Sequence, residues 1–212
     1  MKVKVNGAWV DVPAFKVVEQ TGVPLEQVET ILHKTDGELI IPEGVTTLRG
    51  YAFYYYNTTP SGMATNVVLP STLKTINVQA FRLANIKSIT LPSTITSVNT
   101  HVFWGSSLET CIWRCNYAYI SNFVFFECKK LKKVVIDAPI VGVNTSAFGS
   151  CTALEELDFS ACNRVPSLGA LNAFTNVPTT CTIKIPSALY SAWTTATNWA
   201  TLVAQGYNFV AV

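Results

Sequence analysis

The side chains best suited to chemistry in this 212-residue chain are six cysteines and two histidines. The cysteines stand at positions 111, 115, 128, 151, 162 and 181, without a CxxC pair and without a close histidine, so their spacing is not that of a zinc site. A cysteine or serine nucleophile needs a nearby base, and only His33 and His101 are available. No GxSxG, HExxH or glycine-rich phosphate loop is present. The sequence therefore predicts no catalytic residue, no metal and no cofactor.

Aromatic side chains offer a second kind of chemistry, because exposed rings stack on sugars or insert into protein partners. Tyr54, Tyr55 and Tyr56 follow Phe53 directly, and Trp104 follows Phe103 in the same way. These four residues are candidate binding residues. The alternative is that the rings fold over the edge of the domain as extra packing, and the sequence leaves both interpretations open.

Composition narrows the class of protein. Hydrophobic residues make up 49% of the chain and charged residues 13%, with a formal net charge of +2, which is too small to indicate a nucleic-acid partner. No apolar run approaches the 18 residues of a membrane span, and the opening MKVKVNGAWVDV does not resemble a signal peptide. We expect no membrane insertion, and a location outside the cell, on a cell surface or in a virion.

A repeat dominates the rest of the chain. LPSTLKTINVQAF at 69–81 is nearly copied by LPSTITSVNTHVF at 91–103, and apolar residues recur 12, 8 and 5 positions before five anchor phenylalanines. The anchors are Phe53, Phe81, Phe103, Phe125 and Phe148. A period of 22 or 23 residues predicts a solenoid, whose coils bury apolar residues only by stacking. Proline at 42, 70, 92 and 186 should end one strand per coil.

These segments resemble the BspA-like, or Treponema-type, leucine-rich repeats, whose units read roughly LxxIxLPxxLxxIxxxAFxxC. LKTINVQAF, KSITLPSTITSV and VNTSAFGSCTALEEL carry the resemblance, which covers residues 38 to 186. CIWRCNYAYI departs from the pattern in the fourth unit, and the spacing before Phe174 is irregular. The family often has a packing cysteine three residues after the anchor, where Cys128 and Cys151 stand; a disulfide or metal pair is the alternative.

Both ends differ from the repeat. Residues 2–12 read as a β-hairpin around Asn6-Gly7, followed by a short helix near 25–32. Near the other end Leu189, Trp193, Ala196, Ala200 and Val203 fall on one face of a single predicted helix, before a final strand in YNFVAV. We therefore predict a β-rich leucine-rich-repeat solenoid at 38–186, with a hairpin and helix at 1–37 and a helical cap at 187–212.

Period-two alternation identifies an outward face on the predicted parallel sheet. Its candidate binding residues are Ser88, Thr90, Thr110, Ile112, Lys133, Glu156 and Asp158. Stacking should place Lys133 beside Glu156, so the basic segment CKKLKKV is interpreted as part of a charge ladder; a basic patch for acidic partners is the alternative.

The resemblance implies a non-enzymatic module that binds a protein or glycan in cell-surface adhesion or recognition. The segment VKVNGAWVDVPA is also similar to the openings of phage tail-associated proteins, so the alternative is a receptor-binding component of a phage or prophage tail. A hydrolase would depend on His101, which lies two residues before an anchor, where other coils carry unrelated side chains, so we expect His101 to be a surface residue.

Overall fold

The computed structural model describes residues 2–5, 8–11, 38–41, 43–54 and 64–212. Each coil contributes one longer strand to a parallel sheet of eight strands. Along that sheet the strands are β3 (Glu38–Ile40), β5 (Ala64–Val68), β7 (Ile86–Leu91), β9 (Thr110–Trp113), β11 (Lys133–Ile136), β13 (Glu156–Asp158), β15 (Thr182–Ile185) and β16 (Asn208–Ala211). The predicted β-rich solenoid is confirmed.

A second, shorter strand follows each of the first six long strands. These two-residue strands form two parallel sheets of three, β4 (Thr47–Leu48), β6 (Thr75–Ile76) and β8 (Ser97–Val98), then β10 (Tyr119–Ile120), β12 (Gly142–Val143) and β14 (Ser167–Leu168). The break falls at the unit that departs from the repeat. There the Ser121 hydroxyl donates a hydrogen bond to the Val98 carbonyl at 2.7 Å. At the equivalent place one coil earlier, the Asn99 backbone N–H donates to the Ile76 carbonyl.

The anchor phenylalanines form one continuous column through the core. Phe53, Phe81, Phe103, Phe125 and Phe148 stack ring on ring, with successive centroids 4.8 to 5.5 Å apart and planes within 17°. That spacing is close to the separation of about 4.8 Å between paired strands, so residues 22 to 28 apart in sequence become direct neighbours. The column continues to Phe174, whose ring is tilted by 49°, where the sequence spacing is irregular.

The turn around each anchor adds a third hydrogen-bonded ladder. The anchor and the residues two before and two after it donate backbone N–H groups to the next coil, as Gln79, Phe81 and Leu83 do to Thr100, Val102 and Trp104. The flanking residues have positive φ, which lets every second backbone N–H of the turn point toward the next coil. They are Tyr51, Gln79, His101, Phe123 and Ser146 before the anchors, and Leu83, Gly105, Glu127 and Ser150 after them, with Asn176 at the equivalent place after Phe174.

All six cysteines are free and buried in the core. Cys128 and Cys151 donate their thiols to the carbonyls of Phe103 and Phe125, at 2.9 and 3.0 Å, and Ser106 occupies the same place one coil earlier, 3.5 Å from Cys128. Burial raises the pKa of Cys128 to about 12. Within the described ranges, no group of three or more cysteine, histidine or acidic side chains is placed to hold a metal.

At the beginning of the chain, β1 (Lys2–Val5) and β2 (Ala8–Asp11) pair antiparallel, as predicted for the hairpin. Its turn residues Asn6 and Gly7 lie outside the described residues, as do the predicted helix near 25–32, His33 and Pro42. No helix in the described ranges is both long enough and apolar enough to span a membrane.

The predicted C-terminal helical cap is confirmed, but its prediction as a single helix is wrong. Two helices form instead, α1 (Tyr190–Thr195) and α2 (Trp199–Ala204), separated by Asn198 at φ +66°. Trp193 and Trp199 both pack on Phe159, with ring centroids 5.5 and 5.9 Å away. Six residues apart on one helix, the two rings would point about 120° apart, so both reach Phe159 only because the helix breaks. Val203, expected on the buried face, is exposed.

The final strand is confirmed. β16 pairs in parallel with β15, from Thr182 opposite Asn208 to Ile185 opposite Ala211. The Tyr207 hydroxyl donates to the Val177 carbonyl at 3.0 Å, and Trp199 Nε1 donates to the Pro166 carbonyl at 2.7 Å. The last coil is therefore covered by a strand and two tryptophan-bearing helices.

Candidate binding surfaces

The outward side of the eight-stranded sheet, called the sheet face below, carries two continuous rows of side chains. The residues between them, such as Ile89, Cys111, Val134 and Leu157, are buried. One row runs through Glu38, Asn66, Ser88, Thr110, Lys133, Glu156, Thr182 and Asn208, and the other through Ile40, Val68, Thr90, Ile112, Val135, Asp158, Lys184 and Val210. All seven residues predicted for this face lie in these rows.

The first part of the sheet face is uncharged beyond Glu38. The Ser88 hydroxyl donates to Asn66 Oδ1 at 3.1 Å, and Asn66 Nδ2 donates to Glu38 Oε1 at 3.4 Å. Next along the sheet lie Thr90 and Ile112, which are paired in register and half-buried. The middle of the face is thus a smooth strip of hydroxyl and aliphatic groups.

The later part of the sheet face is charged, and its charges compensate one another. Lys133 Nζ lies 2.9 Å from Glu156 Oε1, and Lys184 Nζ lies 2.8 Å from Glu156 Oε2. These two ammonium groups, Lys184 first, lower the pKa of Glu156. Asp158 pairs in register with Lys184. The predicted charge ladder is present, and these side chains bind one another across the sheet.

A second surface lies in the turns that surround the anchors, and we call it the aromatic ledge. It consists of the residues two before and one after each of four anchors, namely Tyr51, Tyr54, Gln79, Arg82, His101, Trp104, Phe123 and Phe126. Because the anchors stack on one another, these side chains lie next to one another on successive coils. Tyr51 and Tyr54 meet edge to face at 5.6 Å, and His101 stacks on Phe123 at 4.7 Å.

Arg82 occupies the middle of the aromatic ledge. Its guanidinium carbon lies 4.1 Å from the centroid of the Trp104 ring and 5.5 Å from that of Tyr54, and its Nη1 donates to Gln79 Oε1 at 2.9 Å. Sequence reasoning missed this residue. The available signal was its place directly after Phe81, equivalent to Tyr54 after Phe53 and Trp104 after Phe103.

The rings of the ledge differ in exposure. Tyr51 and Tyr54 are 52% and 38% exposed, whereas Trp104 is half-buried, with its Nε1 donating to Glu127 Oε2 at 3.3 Å. The ledge ends at Gly149, where a Cβ would lie 2.9 Å from the Phe126 ring. The remaining predicted aromatic candidates, Tyr55 and Tyr56, lie outside the described residues.

His101 is half-buried within this surface and does not stand free in solvent. Its ring contacts Phe123 and also Trp104, whose centroid is 5.2 Å away. Burial, together with the nearby positive charge of Arg82, lowers the pKa of the imidazole. Its neighbours in the ledge are therefore rings and a cation, which gives it a packing role.

Both the sequence and the fold of this chain are similar to those of leucine-rich repeat proteins. Residues 59–176 match the family model described as BspA type leucine rich repeat region, in six copies. A leucine-rich repeat protein from Eubacterium ventriosum superposes with a TM-score of 0.52 at 22% identity, covering 68% of this chain and 37% of that one. No curated protein sequence matches the chain.

Two further solved structures are less similar. A leucine-rich repeat protein from Bacteroides ovatus has a TM-score of 0.44 at 17% identity, covering 83% of this chain and 54% of that one. The T. pallidum leucine rich repeat protein has a TM-score of 0.43 at 18% identity, covering 72% and 60%. The chain thus spans between 37% and 60% of the length of these three structures.

Proposed function

Because the chain belongs to the BspA-type leucine-rich repeat family, we propose that it is a non-enzymatic recognition module that binds a protein or glycan on a cell surface. The observation that carries the proposal is the sheet face, with eight parallel strands and two unbroken rows of outward side chains. Stacked repeats create extended surfaces of this kind, which such proteins use for binding.

The distribution of charge on the sheet face supports its use as an interface. Protein interfaces have a core depleted of charged residues and a polar rim. The strip around Thr90, Thr110 and Ile112 is uncharged, as such a core is, and the ion-paired cluster around Glu156 lies beside it. Hydrogen-bonded strands already hold these side chains in place, so binding costs little ordering entropy.

Array binding with a matched pair of variants tests this proposal. The labelled chain is applied to a printed glycan array and to an array of bacterial-surface and extracellular proteins. Thr90→Glu puts a charge in the neutral strip and should weaken binding to the recognised spots at least about tenfold. Thr75→Glu makes the same change on β6, in a short-strand sheet, and should bind like the wild type.

Two results would reject it. If Thr90→Glu binds as well as the wild-type chain, the sheet face is not the contact surface. If the wild-type chain recognises no spot on either array, the proposed recognition function itself fails.

A phage or prophage tail component is the second candidate. The hairpin β1–β2 favours it, because it forms a two-stranded sheet of its own and does not extend the eight-stranded sheet. Such a hairpin is suited to attach the repeats to a larger assembly. The neighbouring genes give the direct test, since tail and baseplate genes should flank this one; a neighbourhood without them rejects the candidate.

A further inference from the structure

Negative side chains are missing from one long part of the repeat. Between Gly44 and Leu108 the sequence contains no aspartate or glutamate, while it contains four cations, Arg49, Lys74, Arg82 and Lys87. After Leu108 the repeat carries both signs, as Arg114 with Asp137 and Lys133 with Glu156 illustrate. The charged side chains that residues 44–108 contribute to the surface are therefore all positive, and carboxylates reach this part of the repeat only from adjoining segments, as Glu43 does at Ser71 and Glu127 at Trp104.

Of these four cations, Arg82 is the one that lies in the aromatic ledge. It is half-buried between the rings of Tyr54 and Trp104, and its Nη1 donates a hydrogen bond to the neutral amide of Gln79. Its Nε is buried without an acceptor among the described residues. By contrast, Arg114 Nε donates to Asp137 Oδ2 at 2.9 Å. A charge withdrawn from water is costly unless an anion pairs with it.

The rings also fix the orientation of the guanidinium. Stacking on Trp104 and the bond to Gln79 hold its plane, so little side-chain entropy remains to be lost when an anion arrives. The guanidinium carbon lies 5.5 Å from the centroid of the Tyr54 ring, and Tyr51 meets Tyr54 edge to face at 5.6 Å. Tyrosine, tryptophan and arginine are the residues that dominate binding energy in protein interfaces.

We propose that the aromatic ledge around Arg82 docks an acidic polypeptide segment, whose carboxylates accept hydrogen bonds from the guanidinium while its apolar atoms contact Tyr51 and Tyr54. This surface lies in the turns around the anchors, whereas the sheet face lies on the long strands, so the inference goes beyond the proposed function.

The geometry favours a polypeptide over an acidic glycan. Sugar rings need a flat aromatic face, and the guanidinium of Arg82 already covers the Trp104 ring at 4.1 Å. The two exposed tyrosines meet at 86° and so form a notch suited to a side chain. Asn77 and Asn99, joined by a 3.0 Å amide hydrogen bond, lie in the neighbouring turns and offer further polar groups to a peptide backbone.

Fluorescence anisotropy with labelled poly-L-glutamate tests the inference, with hyaluronate of equal charge number as the glycan probe. The wild-type chain should bind poly-L-glutamate more tightly than hyaluronate, and added salt should weaken the binding. Arg82→Gln should lower the affinity at least about tenfold. Arg164→Gln removes the same charge from an exposed site in a later coil and should change it by less than about twofold.

Two further variants separate the possible causes. Arg82→Lys keeps the charge but loses the planar fork, and its affinity should fall between wild type and Arg82→Gln. Thr90→Glu, on the sheet face, should leave poly-L-glutamate binding intact even where array binding is lost, which distinguishes the two surfaces. Melting temperatures check that each variant is folded.

Several results would overturn the inference. The inference fails if the wild-type chain does not bind poly-L-glutamate, or if folded Arg82→Gln binds it as well as the wild type. It also fails if Arg82→Gln and Arg164→Gln lose the same affinity, or if hyaluronate binds more tightly than poly-L-glutamate. The last result would assign the ledge to an acidic glycan instead.

Discussion

At the scale of single residues, the partners of each outward side chain decide what it offers to a ligand. Glu156 is held by Lys133 and Lys184 on the neighbouring strands, so its charge is already compensated within the sheet. Arg82 instead contacts aromatic rings and an amide. Both residues carry a charge at a repeat position, yet of the two only Glu156 is ion-paired among the described residues.

The Glu156 cluster gives a pH-dependent prediction. Since the lysines lower the pKa of Glu156 in the folded state below its ordinary value of 4.5, its contribution to stability is present above pH 4.5 and is lost as the pH falls through the folded-state pKa. Glu156→Gln should therefore reduce the acid sensitivity of unfolding, with a difference between pH 7 and pH 3 of at most about 1 kcal/mol.

Urea unfolding at both pH values measures this difference. Glu155→Gln, an exposed neighbour, serves as the control for the loss of one carboxylate. Identical pH dependence in wild type and Glu156→Gln would show that the two ammonium groups do not stabilise the carboxylate.

At the scale of elements, the turns around the anchors are as regular as the strands. Positive φ on both sides of the anchor lets three backbone N–H groups per coil reach the next coil. For residues other than glycine, this backbone conformation costs roughly 1 to 2 kcal/mol of stability each. The stacking of coils must therefore offset a strain that recurs in each turn, which the hydrogen-bonded ladder and the phenylalanine column accomplish together.

Two glycines with positive φ allow the cost of backbone strain to be distinguished from the cost of a steric contact. At Gly105 an added Cβ would lie 2.6 Å from Leu83 Cδ2, the equivalent residue of the preceding coil, whereas at Gly206 no atom lies within 4 Å. Gly105→Ala should lower the free energy of unfolding by about 2 to 4 kcal/mol. Gly206→Ala should lower it by only about 1 kcal/mol.

Denaturant titration of both variants checks this prediction, and Leu83→Ala in the Gly105→Ala background should recover part of the loss. Equal losses at the two glycines would mean that the contact between neighbouring coils has no energetic weight.

At the scale of the whole molecule, the phenylalanine column links every coil to its neighbours. Phe103 lies in the middle, stacked on Phe81 at 5.5 Å and on Phe125 at 5.4 Å. In a linear array of repeats, stability comes from each repeat and from the interfaces between neighbours. Loss of a central ring weakens two interfaces at once.

Phe103→Ala should therefore lower the free energy of unfolding by about 3 to 5 kcal/mol. Phe123→Ala removes a half-buried ring from the aromatic ledge and should cost under about 2 kcal/mol. Thermal and urea unfolding of both variants provide the measurement, and a larger loss for Phe123→Ala would contradict a column-centred core.

Charge is also arranged at this largest scale. The coils from Gly44 to Leu108 are purely cationic, and the later coils pair their charges across the strands. One solenoid therefore presents a neutral strip, a compensated cluster and a positive aromatic ledge, each at a different place on a rigid frame.

The repeat by itself determined the stacking direction, the parallel sheet, the phenylalanine column and the outward rows. These features follow from the sequence because equivalent residues of successive coils lie side by side. The 22-residue spacing of Phe81 and Phe103 therefore predicts that their rings are in contact, as they are.

Only the tertiary structure decided the features that depend on unlike residues. The sandwich of Arg82 between Tyr54 and Trp104, the break between β8 and β10, and the split of the cap into two helices around Asn198 have no counterpart in the period. Each depends on how particular side chains fill the space left by their neighbours, as both Trp193 and Trp199 do against Phe159. A period in the sequence specifies where residues stack, whereas their packing depends on shapes and charges that differ from coil to coil.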